Sequence, residues 1–67
     1  MKRQTVSSSN VKSIGFENSI LEVEFLNGRI YQYYGVPESI YLLLMNAASK
    51  GSFLASNVFN KFDYKEI

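Results

Sequence analysis

Residues 20 to 34 read ILEVEFLNGRIYQYY, and no other stretch constrains the fold as strongly. Leu21, Val23 and Phe25 alternate with Glu22 and Glu24, the period of a strand with one apolar and one polar face. Asn27-Gly28 then turns the chain back, so that residues 30–34 become the second arm of a hairpin. The turn's length decides which side chains are buried. A two-residue type I′ loop at Asn27-Gly28 pairs Glu24 with Tyr31 and Glu22 with Tyr33, and drops the Gln32 amide among Leu21 and Val23. Burying that amide without a partner costs about 1–3 kcal/mol. A type I turn over Leu26-Asn27, with Gly28 left-handed as a bulge, slips every pairing by one residue. Val23 then faces Tyr31, Leu21 faces Tyr33 and Glu22 faces Gln32. We favour this bulged register, which strands no glutamine. It turns Tyr31 and Tyr33 toward the core and sends Tyr34 and Ile30 to the opposite face.

Around this hairpin the chain reads as one domain over residues 7–67, preceded by a polar, basic arm at 1–6 that is expected to fray. Residues 11–16 form a further strand, closed by a turn at Glu17-Asn18-Ser19. Val36-Pro37-Glu38 opens a helix, because proline suits the first helical position and Glu38 complements the positive end of the dipole. This helix is predicted to reach about Ser49 and to stop at Gly51 as a left-handed C-cap, with Lys50 in its last turn. Ile40, Leu43, Leu44 and Ala47 form the stripe that meets the sheet, while Tyr41, Leu42 and Met45 widen the apolar surface beyond it. Ser52 is the expected N-cap of a second helix from Phe53 to about Phe59. Phe62 and Tyr64, two apart in the tail, fit an extended segment docked on the domain. The predicted fold is α+β: a three-stranded antiparallel β-meander followed by two helices packed on one face, β-β-β-α-α.

Sixty-seven residues bury a small core, and no cysteine is present to staple it. The chain also lacks histidine, and the absence of both residues removes the usual zinc ligands, the commonest general base and the best intrinsic nucleophile. No nucleophile–base–oxyanion set is visible and no cofactor motif appears, so the expectation is a protein that is not an enzyme. Glu22 and Glu24 read as solvating the outer face of their strand. The net charge of +1 neither predicts nor excludes a nucleic-acid partner. The longest apolar run, Ile40 to Met45, is far short of the roughly 20 residues of a membrane span. A cytoplasmic location is the default.

Two stretches carry possible binding chemistry. Lys50, Gly51 and the Ser52 hydroxyl could hold a phosphate at a helix start, or simply form a helix–helix junction. Tyr31, Tyr33 and Tyr34 could stack bases, with Arg29 as the nearby cation, or Tyr31 and Tyr33 could wall the core. Tyr34 is the one expected to be exposed.

Together, VSSSNV at the start, LEVEFLNGRIYQYYGVP in the middle and SKGSF with its following Val and aromatics resemble the KTSC domain. That family is named for the C-terminal region of some lysyl-tRNA synthetases and also occurs as a small stand-alone protein in bacteria and phages. The resemblance runs from about Val6 to Tyr64, centred on Tyr31-Gln32-Tyr33. The residues it would carry over are Ser8, Ser9 and Asn10 in the leader, Tyr31 and Tyr33 in the centre, and Lys50 and Gly51 at the helix junction. The synthetase fusion implies RNA as a candidate partner. This chain departs from the family pattern after Lys50-Gly51: Ala55, Ser56 and Phe59 stand where asparagine and basic residues are usual, which thins the positive surface.

The expected function is a small non-enzymatic module that binds RNA or a nucleotide, with Lys12, Arg29, Lys50 and Ser52 on phosphate and a tyrosine on the base. The alternative is a homo-oligomeric protein-interaction or ligand-sequestering protein, assembled through Tyr41, Leu42 and Met45.

Overall fold

A computed structural model describes residues 1–67. Along the chain lie β1 (Gln4–Thr5), β2 (Val11–Glu17), β3 (Ile20–Phe25), β4 (Ile30–Tyr34), α1 (Glu38–Asn46), α2 (Lys50–Asn57) and β5 (Tyr64–Glu66). The strands form one antiparallel sheet in the order β1-β2-β3-β4-β5, each paired with its sequence neighbour. The α+β class and the two helices agree with expectation; the sheet has five strands where three were expected. Both additions are edge strands, of two and three residues. Segments so short carry no periodicity, so only their partners reveal them. The arm expected to fray over residues 1–6 is instead tied down, with Gln4 opposite Ile14 and Thr5 opposite Ser13.

The central hairpin takes the bulged register. Leu21 pairs with Tyr33, Glu22 with Gln32 and Val23 with Tyr31. The Gly28 N–H donates to the Phe25 carbonyl at 3.0 Å, and the Phe25 N–H donates to Arg29 O at 2.9 Å. Gly28 sits at φ +90°, a conformation that a side chain would strain. At the other end of β3 a two-residue turn holds Asn18 and Ser19 at φ 53° and 65°. That is the mirror-image turn which suits the twist of a tight hairpin.

One face of the sheet carries the core. Leu21, Val23 and Tyr33 meet Leu44 of α1 and Leu54 of α2, joined by Val11, Ile14, Val36 and Val58. Helix α1 turns differently from expectation. Ile40, Tyr41, Leu44 and Met45 pack on the core, whereas Leu42 and Leu43 are 51% and 58% exposed. Tyr41 also stacks on Phe16, with ring centroids 5.0 Å apart. Two of the three residues assigned to an oligomer surface, Tyr41 and Met45, are therefore engaged within the chain. The predicted stripe was ambiguous because residues 40–45 are all apolar, and no polar face sets the rotation.

The helix junction is also shifted. Pro37 lies at the N-cap of α1, one residue before its expected position, and Ala47 at the C-cap. Helix α2 begins at Lys50, capped by Ser49 and not Ser52: the Ser49 hydroxyl accepts the Ser52 N–H at 3.2 Å. Gly51 thus lies in the first turn of α2 and does not end α1.

The opposite face of the sheet is polar and closed by residues 1–3. Gly15 admits them: a Cβ there would lie 2.8 Å from the Lys2 carbonyl oxygen and 3.0 Å from Arg3 Cγ. The Arg3 guanidinium donates to Ser13 Oγ through Nε at 3.0 Å and forms an ion pair with Glu22. Glu22 and Glu24 do not simply solvate an outer face, since Glu22 is only 5% exposed. Burial alone would raise its pKa, but hydrogen bonds from Gln32 and Arg3, and the Arg3 charge, outweigh burial and hold it below the usual carboxylate value. No buried side-chain nitrogen or oxygen lacks a partner.

Candidate functional site

Strand alternation turns Tyr31 and Tyr33 to the helix side, and the pairing of β4 with β5 sets Tyr64 opposite Tyr33. Phe25, one turn away in the hairpin, and Phe59, after α2, complete an aromatic wall. Tyr33 lies at its centre, 5.9 Å from both Phe59 and Tyr64 between ring centroids. Tyr31 meets Phe25 edge-on at 5.8 Å. The rings line a groove of about 490 Å³, to which Asn27, Arg29 and Asn60 add polar groups. Arg29 Nη1 stands 3.9 Å from Glu66 Oε1, with both side chains about half exposed.

A second recess of about 370 Å³ shares Phe25, Asn27 and Phe59 with the first and is floored by Ser9, Asn10 and Gly51. The two run together along the hairpin turn. The groove therefore joins residues from the leader, the central strand and the helix junction, which lie far apart in sequence.

Of the expected site residues, Tyr31, Tyr33, Arg29, Ser9, Asn10 and Gly51 are brought together here. Tyr33 is a core residue, 4% exposed, and Tyr31 is half-buried at the rim. Burial pushes the Tyr33 phenol up to about 12, helped by the neighbouring phenols of Tyr31 and Tyr64.

The remaining candidates are elsewhere. Tyr34, half-buried and not exposed, lies on the polar face and donates its hydroxyl to Gln32 Oε1 at 3.0 Å. Lys12 approaches Glu24 on that same face. Ser8 Oγ accepts the N–H groups of Asn10 and Val11, bracing the entry to β2. Lys50 Nζ donates to the Ala47 carbonyl at 2.6 Å, capping the end of α1. The Ser52 side chain is exposed in the first turn of α2 and lines neither recess. The phosphate cradle expected at 50–52 is thus a helix junction in this structure.

Sequence reasoning missed Phe59, Tyr64, Asn27 and Asn60 as groove residues. The one available signal was the two-residue spacing of Phe62 and Tyr64, which fits the docked tail.

The chain matches the KTSC domain family over residues 7–62. It belongs to that family. A KTSC domain protein of Yersinia pestis, known from a crystal structure, is 43% identical and superposes with a TM-score of 0.93 over 98% of this chain and 96% of its own. An uncharacterised protein of Stutzerimonas stutzeri (strain A1501) is 43% identical over 53 residues, covering 76% of this chain and 75% of that one. For this KTSC domain the resemblance read from Val6 to Tyr64 is therefore borne out, as fold and as family. Its Tyr-x-Tyr centre is half core and half groove rim. Its leader asparagine and its glycine after Lys50 meet across one recess. No helix of the KTSC domain is long and apolar enough to cross a membrane.

Proposed function

We propose that this KTSC domain is a small non-enzymatic binding module of the cytoplasm, taking an RNA base or a nucleotide in the aromatic groove. The observation that supports this is the continuous wall of Tyr31, Tyr64, Phe59 and Phe25 with Arg29 at its edge. Exposed ring faces stack bases of any sequence at about 1–3 kcal/mol each. Arg29 meets a phosphate, and the Asn27 and Asn60 amides meet base or ribose edges. Lys50 drops out of the phosphate-binding set because its ammonium holds the Ala47 carbonyl, and Lys12 because it lies on the polar face, away from the groove.

Fluorescence anisotropy with labelled tRNA and a short single-stranded RNA, at low and near-physiological salt, tests this. The expected result is micromolar binding with a shallow salt dependence, about −0.7 in log–log slope for one phosphate on a single strand. Arg29→Ala should flatten the slope, and Tyr64→Ala, which leaves the core intact, should weaken binding. Absence of binding at low salt would retire the reading.

A second reading, self-association, draws on the adjacent exposed Leu42 and Leu43 of α1. Light scattering at high concentration tests it. A strict monomer, unchanged by Leu42→Glu, removes its support.

A further inference from the structure

On the polar face of the sheet, Glu22, Ser13 and Glu24 surround the Arg3 guanidinium. The parts of this enclosure come from β2, β3 and β4 and owe nothing to the strand that fills it. Tyr34 Oη donates to Gln32 Oε1 at 3.0 Å, and Gln32 Nε2 donates to Glu22 Oε1 at 2.8 Å. Ser13 Oγ donates to Glu24 Oε1 at 2.9 Å. These bonds orient three acceptors, Glu22 Oε2, Ser13 Oγ and Glu24 Oε1. The three nitrogens of Arg3 address them one each: Nη1 on Glu22, Nε on Ser13 at 3.0 Å and Nη2 toward Glu24 at 3.8 Å. A planar fork matches this array, and a point-like ammonium does not. Gly15 clears the path for the backbone that carries the fork, since a Cβ there would strike the Lys2 carbonyl.

The strand that delivers Arg3 lies at the edge of the sheet. Strand β1 is two residues long, both exposed, and pairs only with β2. Glu22, by contrast, lies on the central strand β3, paired on both sides by β2 and β4.

We infer that this face is a guanidinium-binding site with Arg3 as its resident ligand, and that an arginine on an extended segment of another polypeptide can replace residues 1–5 and pair with the edge of β2. Removal of β1 opens the carboxylate-lined trough and the β2 backbone together, so the incoming segment gains ladder hydrogen bonds and an ion pair in one step.

The test uses the full chain carrying Arg3→Ala. Millimolar methylguanidinium should raise its melting temperature in a saturable manner. Methylammonium at equal ionic strength should not, and the unsubstituted chain should not respond. A synthetic peptide of residues 1–6 should bind the variant, and its counterpart with lysine in place of the arginine should bind about tenfold or more weakly. The unsubstituted chain should bind the peptide less tightly than the variant, because its site is filled in cis. Equal responses to the two cations, or no response to either, overturn the site. If Arg3→Ala does not fold, Arg3→Lys takes its place in the same titrations. Hydrogen exchange on the unsubstituted chain tests exchangeability: β1 amides should exchange well before those of β3. Equal protection of the two strands would overturn the replacement of β1.

Discussion

The side-chain amide of Asn10 occupies the space where a β-carbon on Gly51 would sit: a Cβ built there lies 2.8 Å from Asn10 Nδ2. This contact ties the leader to the first turn of α2 across the smaller recess. Gly51→Ala therefore has two opposed effects. Alanine in a helix is worth up to about 1 kcal/mol over glycine, while Asn10 must swing out of the groove. Denaturant unfolding should show Gly51→Ala to be neutral within about 0.5 kcal/mol in the parent chain, but stabilising by roughly 1 kcal/mol when Asn10→Ala is already present. Additive effects of the two substitutions would mean that the contact is absent in solution.

Tyr33 is expected to titrate well above an ordinary phenol. Its folded value is about 12 against an ordinary 10. The unfolded chain loses this proton first as pH rises, so stability falls between those two values. Tyr33→Phe should keep the fold and lose less stability across that window, measured by denaturant midpoints at about pH 9 and about pH 11. Tyr33→Ala should cost about 3–5 kcal/mol, the usual cost of emptying a buried aromatic site.

Glu22 governs the acid side. Its folded pKa lies below the ordinary 4.5, so its contribution is present above that value and is lost as pH falls through the folded pKa. Arg3→Ala removes one of the partners that hold it down. That change should cost about 2 kcal/mol near neutrality, less than a fully buried pair because Arg3 is partly solvated. It should also move the acid-unfolding midpoint upward, as followed by circular dichroism. An unchanged midpoint would mean that Arg3 does not reach Glu22 in solution.

The rotation of α1 separates Met45 from Leu43. Leu43→Glu should leave stability within about 0.5 kcal/mol, because its side chain is already in water. Met45→Glu places a carboxylate against the core and should cost about 1–3 kcal/mol. Thermal melts of the two variants, side by side, decide it.

The central hairpin was legible because two local rules agreed. Asn27-Gly28 restricted the turn to two registers, and the cost of burying Gln32 separated them. The facing of α1 was not legible, since six consecutive apolar residues give no polar side to read. The cap of α2 was ambiguous in the same way, because two serines stand three apart and the Ser52 N–H donates to the Ser49 hydroxyl. The roles of Arg3 and Tyr64 lay beyond local reading altogether. Arg3 acts on Glu22, nineteen positions away, and Tyr64 enters the groove only through a three-residue strand. For the groove, the sequence named one wall, Tyr31 and Tyr33, and the floor, Asn10 and Gly51, but gave no sign that they adjoin.

The sequential order of the sheet has a consequence for synthesis. Every strand pairs with its neighbour in the chain, so a growing chain can close each hairpin as soon as its second arm emerges. The ion pairs of Arg3 are the exception. Arg3 leaves the ribosome well before Glu22 and Glu24, the carboxylates it pairs with some twenty positions behind. At about 5–20 residues per second, its charge stays without those carboxylates for about a second or more. A side chain made early thus waits for partners made later.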